Sequence, residues 1–393
     1  MSAIALQNYE THDRKQVILL LDDDGTITEG LAVALERSDR TLITCNDVES
    51  AEMALERFRP SVVVSDVHVS GEFGFEGLDF ISFAKRALPG ARVILMTGDA
   101  PDKLQLEASQ RGAVAFLRKP FEANELEAVI DLMSPVEAAM KRLPARITMP
   151  LLDDILTSSQ LGTAFQPIVD LHNSWEPIGY EALARYASDS PMRSPDLLFQ
   201  YAGRKHRIAD LETSCIKSAL NKARTLTQSS MLFLNIHPDV LHRGTAFRDL
   251  LRDEAQRAGV PLNRVVLELT EQGSLGDDSR VFRLFDQLRN EGVRVAFDDV
   301  GVAYSHLPYI DRIRPEFLKI SQNFGTAFEA DPTRTKLVRN LVTLAHDFDC
   351  AVILEGIEEI ATAQAATELG IKYGQGYLFG RPSDASVYTT KAM

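Results

Sequence analysis

The sequence predicts an α/β protein in two parts: a doubly wound parallel sheet, then a closed barrel of eight strand–helix units. Three observations carry this expectation. In the first third of the chain, short uninterrupted apolar runs alternate with segments that are apolar at helical spacing, as strands buried between helices do. Over residues 161–393, eight β-like runs follow one another, most of them separated by helix-like patterns. A chain of 393 residues, 45% apolar and 25% charged, can also supply two or three domains with their own cores.

Taken in order, residues 1–15 are a polar tail, and the sheet domain spans 16–134. Its strands are VILLL (17–21), SVVVSD (61–66), RVILMT (92–97) and AFLRK (115–119), with helical patterns such as EGLAVALER and GLDFISFAKRAL between them. Residues 135–160, punctuated by Pro135, Pro144 and Pro150, are expected to be a partly helical linker. The barrel over 161–393 has the runs TAFQPIVDL, IGYEALARY, LFLNIH, RVVLELT, RVAFDD, FLKIS, AVILEG and YGQGYLFG.

The net charge of −14 argues against sequence-independent binding to nucleic acid, and no DNA partner is expected. Cys45, Cys215 and Cys350 lie far apart and form no CxxC pair, which predicts a reducing cytoplasm and no structural zinc. No apolar run approaches the roughly 18 residues of a membrane span. The N-terminal apolar stretch stops at three aspartates and is expected to be a strand rather than a signal-peptide core.

Chemistry-bearing residues gather at strand ends. Asp22 and Asp23 follow the first strand, Asp66 ends SVVVSD, Thr97 ends RVILMT, and Lys119 precedes Pro120. In an open parallel sheet these ends converge on one edge. Three carboxylates there repel unless a cation joins them, and Mg²⁺ suits an all-oxygen set. Taken together the set resembles the receiver domain of two-component response regulators, with Phe116 at the family's aromatic switch position. The resemblance implies a flavodoxin-like fold and one metal ion held by Asp22, Asp23, Asp66 and the main-chain carbonyl of His68. It also implies Asp66 as phosphoacceptor, Thr97, Phe116 and Lys119 as the switch, and a sensor histidine kinase as partner. The segment SGEFGFEG after Asp66 departs from the family's shorter turn.

In the barrel, Glu181, Glu268, the pair Asp298-Asp299, and Glu355 fall at separate strand ends, with Asn235, Lys319 and Gln375 at comparable positions. Five carboxylates in one barrel mouth would cost several kcal/mol unless cations compensate, and two divalent ions about 3.5–4 Å apart suit attack at phosphorus. Adjacent strand residues point to opposite faces, so Asp298 and Asp299 can share a site only where the strand ends and turns. Alone, Asn235 reads as a turn residue and Lys319 as a solvated lysine beside a Leu-Lys-Ile run. His237, His306 and His346 have no ligand spacing with one another, and Trp175 reads as packing.

These residues look like the EAL family of cyclic di-GMP phosphodiesterases. The ordered segments are FQP with Gln166, Glu181-Ala182-Leu183 followed by Arg185, LNIHP, ELTE with Glu268 and Glu271, DDVG, LKI, EGIE, and QGYLFGRP with Gln375. The resemblance implies a TIM-like barrel, two Mg²⁺ or Mn²⁺ ions, and hydrolysis of cyclic di-GMP to linear pGpG by water. Glu181, Asn235, Glu268 and Asp298 would hold one ion. Asp298, Asp299 and Glu355 would hold the other, with Glu355 and Lys319 tuning the water and Asp299 counted in the catalytic set. Arg185 would contact phosphate, Gln166 and Gln375 would line the groove, and Glu271 would brace the loop after Asp299. A homodimer through the barrel is expected. The loop DDVGVAYSHL departs from the family's DDFGTGYSSL at Val300, Val302, Ala303 and His306. Val302 offers Glu271 no hydroxyl. The expectation is a low basal rate, and the alternative is a weak or silent barrel that reads out cyclic di-GMP or a partner protein.

Overall fold

A computed structural model describes residues 15–69, 76–98, 102–132, 143–186, 191–227, 229–270, 275, 278–301 and 307–389. The chain divides into two compact units, Met1–Ser158 with Ser188–His206, and Ser159–Ala187 with Arg207–Met393.

The first unit carries the doubly wound sheet. In chain order it runs β1 (Gln16–Leu21), α1 (Gly25–Ala34), β2 (Arg40–Cys45), α2 (Val48–Phe58), β3 (Val62–Asp66), α3 (Glu76–Ala87), β4 (Arg92–Thr97), α4 (Asp102–Arg111), β5 (Ala113–Arg118) and α5 (Ala123–Leu132). The segment expected as a linker contributes β6 (Arg146–Thr148) and α6 (Leu152–Thr157). Strand order is β5-β4-β3-β1-β2-β6, all parallel. The apolar runs are the central strands: all but one residue of β1, and every residue of β3, are buried. Strand β2 escaped the apolar-run criterion because Arg40, Thr41 and Thr44 interrupt it, yet every residue in it is buried. Arg40 is neutralised by Glu127 and Asp131 of α5. After the barrel strands β7 (Leu161–Asp170) and β8 (Pro177–Tyr186), α7 (Pro195–Arg204) returns to this first unit. There Tyr201 donates to Asp47 at 2.7 Å, and Arg204 pairs with Glu52 and Glu56 of α2.

The second unit continues with α8 (Ile208–Ala223), β9 (Met231–Ile236), α9 (Pro238–Leu241), α10 (Thr245–Ala258), β10 (Val265–Leu269), α11 (Ser279–Asn290), β11 (Arg294–Val300), α12 (Ile310–Ile313), β12 (Phe317–Ile320), α13 (Gln322–Gly325), α14 (Pro332–Asp347), β13 (Ala351–Leu354), α15 (Ile360–Glu368), β14 (Tyr373–Gln375) and α16 (Ser386–Thr389). The eight strands close in the order β10-β11-β12-β13-β14-β7-β8-β9. The barrel is not wholly parallel: β7 runs antiparallel to both β8 and β14, so the first two barrel runs form a hairpin rather than a strand–helix unit. Among the described residues, no helix is long and apolar enough to cross a membrane.

Period-two alternation sorts every parallel barrel strand into an outer and an inner face. Leu232, Leu234, Val265, Leu267, Val295, Phe297, Leu318, Ile320, Val352 and Leu354 belong to the large cluster that the helices cover. Phe233, Val266, Ala296, Phe317 and Ile353 face inward and form a separate cluster with Ile168. Two residues further along each of these strands stand Asn235, Glu268, Asp298, Lys319 and Glu355. The barrel interior is therefore an apolar floor with a polar layer directly above it. Gly179, two residues before Glu181, completes the floor by leaving space. A Cβ there would come within 2.9 Å of the Phe233 ring, which packs edge-on to Phe317 at 5.4 Å.

Phe317→Ala should lower stability by about 3–5 kcal/mol in urea unfolding, because the floor cannot collapse onto the cavity. A loss below about 1 kcal/mol would mean that the floor does not hold the polar layer.

Candidate functional site

The polar layer is organised around one ammonium group. Lys319 Nζ lies 2.8 Å from Glu355 Oε1, 3.0 Å from Glu268 Oε1, 3.1 Å from Asp298 Oδ1 and 3.3 Å from Glu181 Oε2. Lys319 and Glu268 are fully buried and Glu181 is nearly so. Glu181 has further donors: Asn235 Nδ2 reaches its Oε1 at 2.9 Å, and Gln375 Nε2 reaches its Oε2 at 2.6 Å. Gln375 also donates to Gln166 Oε1 at 3.2 Å, and Gln166 donates to the Gly380 carbonyl. Strand pairing sets these neighbours, since Glu268 is in register with Asn235, and Gln166 with Glu181.

One lysine cannot satisfy four carboxylates, of which Glu181 and Glu268 are buried and Asp298 and Glu355 partly buried. Among the described residues, neither oxygen of Glu268 has a hydrogen-bond partner, nor does Asp298 Oδ1, although Lys319 is within ion-pair range of both residues. Burial pushes Glu268 well above the usual carboxylate range, with Glu181 adding to the rise. Burial also raises Asp298, and it pushes Glu355 up to about 8, in both cases against the pull of Lys319. Burial would raise Glu181 too, but Lys319, Gln375 and Asn235 outweigh it and hold that carboxyl below its ordinary value. The same carboxylates overcome burial at Lys319 and hold its pKa well above the lysine norm. Buried anions with orphaned oxygens are the donor set that a hard divalent cation would complete.

Asp298 and Asp299 reach their places by a bulge within β11 rather than at its end. The register against β12 shifts between Phe297 and Val300, and Asp299 has φ of +50°. Aspartate tolerates this left-handed conformation better than most side chains. Asp298 is therefore turned into the layer while Asp299 is exposed above it. Arg185 is half-buried, which lowers its pKa, and it donates to the Ala184 carbonyl. Glu271 and residues 302–306 of the altered loop lie outside the described residues.

In the first unit, Asp22, Asp23 and Asp66 bring ligand atoms within 4.8 Å of one another, the sole such group of His, Cys, Asp or Glu side chains found among the described residues. Lys119 Nζ bridges Asp22 Oδ2 at 2.6 Å and Asp66 Oδ2 at 3.1 Å. Burial raises the Asp22 pKa against the lowering effect of Lys119; burial would lower the Lys119 pKa, but the two aspartates outweigh it and raise that value. Thr97 is buried at the end of β4, Phe116 is partly buried on β5, and His68 is exposed just after β3. Asp24, grouped with the acidic pair in sequence, instead caps α1 through Thr26 N–H at 2.8 Å. Asn46 went unnoticed in the sequence. Its Nδ2 donates to the Asp22 carbonyl at 3.0 Å and to Thr28 Oγ1, fixing the acidic turn.

The family comparison covers both parts of the chain. The EAL domain matches residues 151–382 and the response regulator receiver domain matches residues 18–131. The chain belongs to the EAL-domain family. Its EAL barrel follows a receiver domain. The cyclic di-GMP phosphodiesterase RocR of Pseudomonas aeruginosa is 26% identical over 82% of this chain and 84% of its own length. The EAL-domain protein YkuI of Bacillus subtilis is 27% identical over 59% of this chain and 57% of its own length, and it has been solved with cyclic di-GMP and calcium, TM-score 0.51. The PaMucR phosphodiesterase, solved with cyclic di-GMP, is 26% identical, covers 60% of this chain and 97% of that one, and superposes with TM-score 0.55. The match spans little more than half of YkuI and 40% of the Escherichia coli protein PdeD, so resemblance to these relatives is resemblance of the EAL portion.

Replacing Lys319 with methionine should cost about 3–5 kcal/mol in chelator, since it strips the carboxylate layer of its charge partner. Added Mn²⁺ should recover part of that loss in urea unfolding. Unchanged stability in chelator would show that the layer does not depend on the ammonium.

Proposed function

We propose that this chain is a cyclic di-GMP phosphodiesterase under the control of its receiver domain, with linear pGpG as product. The observation that carries the reading is the partly buried layer of Glu181, Asn235, Glu268, Asp298 and Glu355 around the buried Lys319, whose orphaned oxygens fit divalent cations. Glu181, Asn235, Glu268 and Asp298 would hold one Mg²⁺ or Mn²⁺, and Asp298, Asp299 and Glu355 a second. Such ions supply a more acidic water and neutralise charge on a phosphodiester.

The chain's own groups do the rest. Glu355 is the carboxylate placed to take a proton from the attacking water, and Lys319 holds its Oε1 at 2.8 Å. Water adds to phosphorus, the bond to one ribose 3′-oxygen breaks, and that oxygen leaves with a proton. Gln166 and Gln375 line the groove and orient Glu181, while Arg185 pairs with a phosphate. Incubation with cyclic di-GMP and Mg²⁺ or Mn²⁺ should yield pGpG on a column, and Ca²⁺ should support binding with little turnover. Glu181→Ala should abolish turnover. Parent-like turnover by that variant contradicts the reading. Tight binding by the parent with no product would favour a silent readout barrel, the reading that the altered loop at 302–306 supports.

The receiver trio with Lys119 supports one bound cation and phosphoryl transfer from a histidine kinase to Asp66. A new dianion on Asp66 would compete for Lys119 and draw in Thr97, biasing a two-state surface that includes Phe116. Beryllofluoride should change the hydrolysis rate of the parent and leave Asp66→Ala unaffected. Equal parent rates with and without it would remove the regulatory role.

A further inference from the structure

Glu212 on α8 is a buried acid that the proposed chemistry does not use. It is 3% exposed. One oxygen, Oε1, accepts the main-chain N–H of His237 at 2.5 Å, and among the described residues Oε2 has no hydrogen-bond partner. Burial, with Asp239 nearby, pushes its pKa up to about 8. A carboxyl kept at such cost needs a reason beyond packing, since leucine or methionine would fill the space more cheaply.

The reason lies in what His237 follows. Asn235 is the penultimate residue of β9, and Ile236 ends the strand. His237 is where the chain leaves the barrel, and it caps α9 by accepting the Asp239 N–H at Nδ1. Its own N–H points back toward α8. Two contacts therefore hold the end of β9: Thr270 N–H to the Ile236 carbonyl at 3.3 Å, and Glu212 to His237 N–H. Asn235 sits between this anchored end and Glu181, to which its Nδ2 donates.

We propose that Glu212 is a positioning residue for the cation site, clamping the His237 N–H so that the Asn235 side chain keeps its place beside Glu181 in the carboxylate layer. The inference rests on the reading of that layer as a divalent-cation site. Outer partners that orient ligands change metal affinity about 10–100-fold when lost. A mere brace between α8 and β9 would change stability alone.

Two variants of nearly equal volume separate these roles. Glu212→Gln keeps an oxygen acceptor for the His237 N–H, and Glu212→Met fills the same space without one. Mn²⁺ binding to the full chain is measured by electron paramagnetic resonance, counting as barrel sites those that Glu181→Ala loses. Amide exchange at His237 and the melting temperature are followed in parallel. Glu212→Gln should bind barrel Mn²⁺ within about threefold of the parent. Glu212→Met should bind it about 10–100-fold more weakly, exchange the His237 amide faster, and recover kcat at saturating Mn²⁺. Parent-like Mn²⁺ affinity in Glu212→Met despite faster exchange would overturn the positioning role. If Glu181→Ala loses no Mn²⁺ site, the cation-site reading itself falls, and this inference with it.

Discussion

A single ammonium, that of Lys319, stands among four buried or partly buried carboxylates, on or just beyond the ends of four different strands. Much of the barrel unit can be understood as a consequence. Opposite charges this close offset part of the cost of removing each from water, but one cation cannot offset four anions. The excess appears as raised carboxyl pKa values and orphaned oxygens at Glu268 and Asp298. A layer in that condition is poised for cations, and its stability and its chemistry are two aspects of one electrostatic imbalance.

The architecture delivers the imbalance by simple geometry. Every parallel strand that contributes to the layer places an apolar residue two positions earlier, so the floor of Phe233, Val266, Ala296, Phe317 and Ile353 excludes water from below. The antiparallel β7–β8 hairpin brings Gln166 into register with Glu181, and β14, paired with β7, adds Gln375, which donates to both. The bulge in β11 breaks the alternation where two consecutive aspartates are needed. In the sheet unit a comparable problem has a smaller solution, with Lys119 bridging Asp22 and Asp66.

The fold was legible because burial on both faces of a strand leaves a continuous apolar run, and β1, β3 and β4 are such runs. Strand β2 was not, because its threonines and Arg40 find partners in α5 and the 144–148 segment that no local pattern reveals. The short β6 was hidden in a proline-punctuated segment for the same reason. Lys319 read alone as solvated, yet Leu318 and Ile320 on either side face the helices, so period two requires Lys319 to face the barrel interior. That signal was present in the sequence. Glu212 carried no such signal, since one acid beside Leu211 on an amphipathic helix resembles any solvated glutamate. Its significance depends on a main-chain N–H from a strand that follows 25 residues later.

The central claim is that the carboxylate layer exists to hold divalent cations and that Lys319 shares its anions with them. Anomalous scattering from crystals of the intact protein soaked in Mn²⁺ tests it most directly. The account predicts two peaks about 3.5–4 Å apart within reach of Glu181, Asn235, Glu268, Asp298 and Glu355, in addition to one at the aspartate trio of the receiver domain. A peak at the trio with none inside the barrel would contradict it.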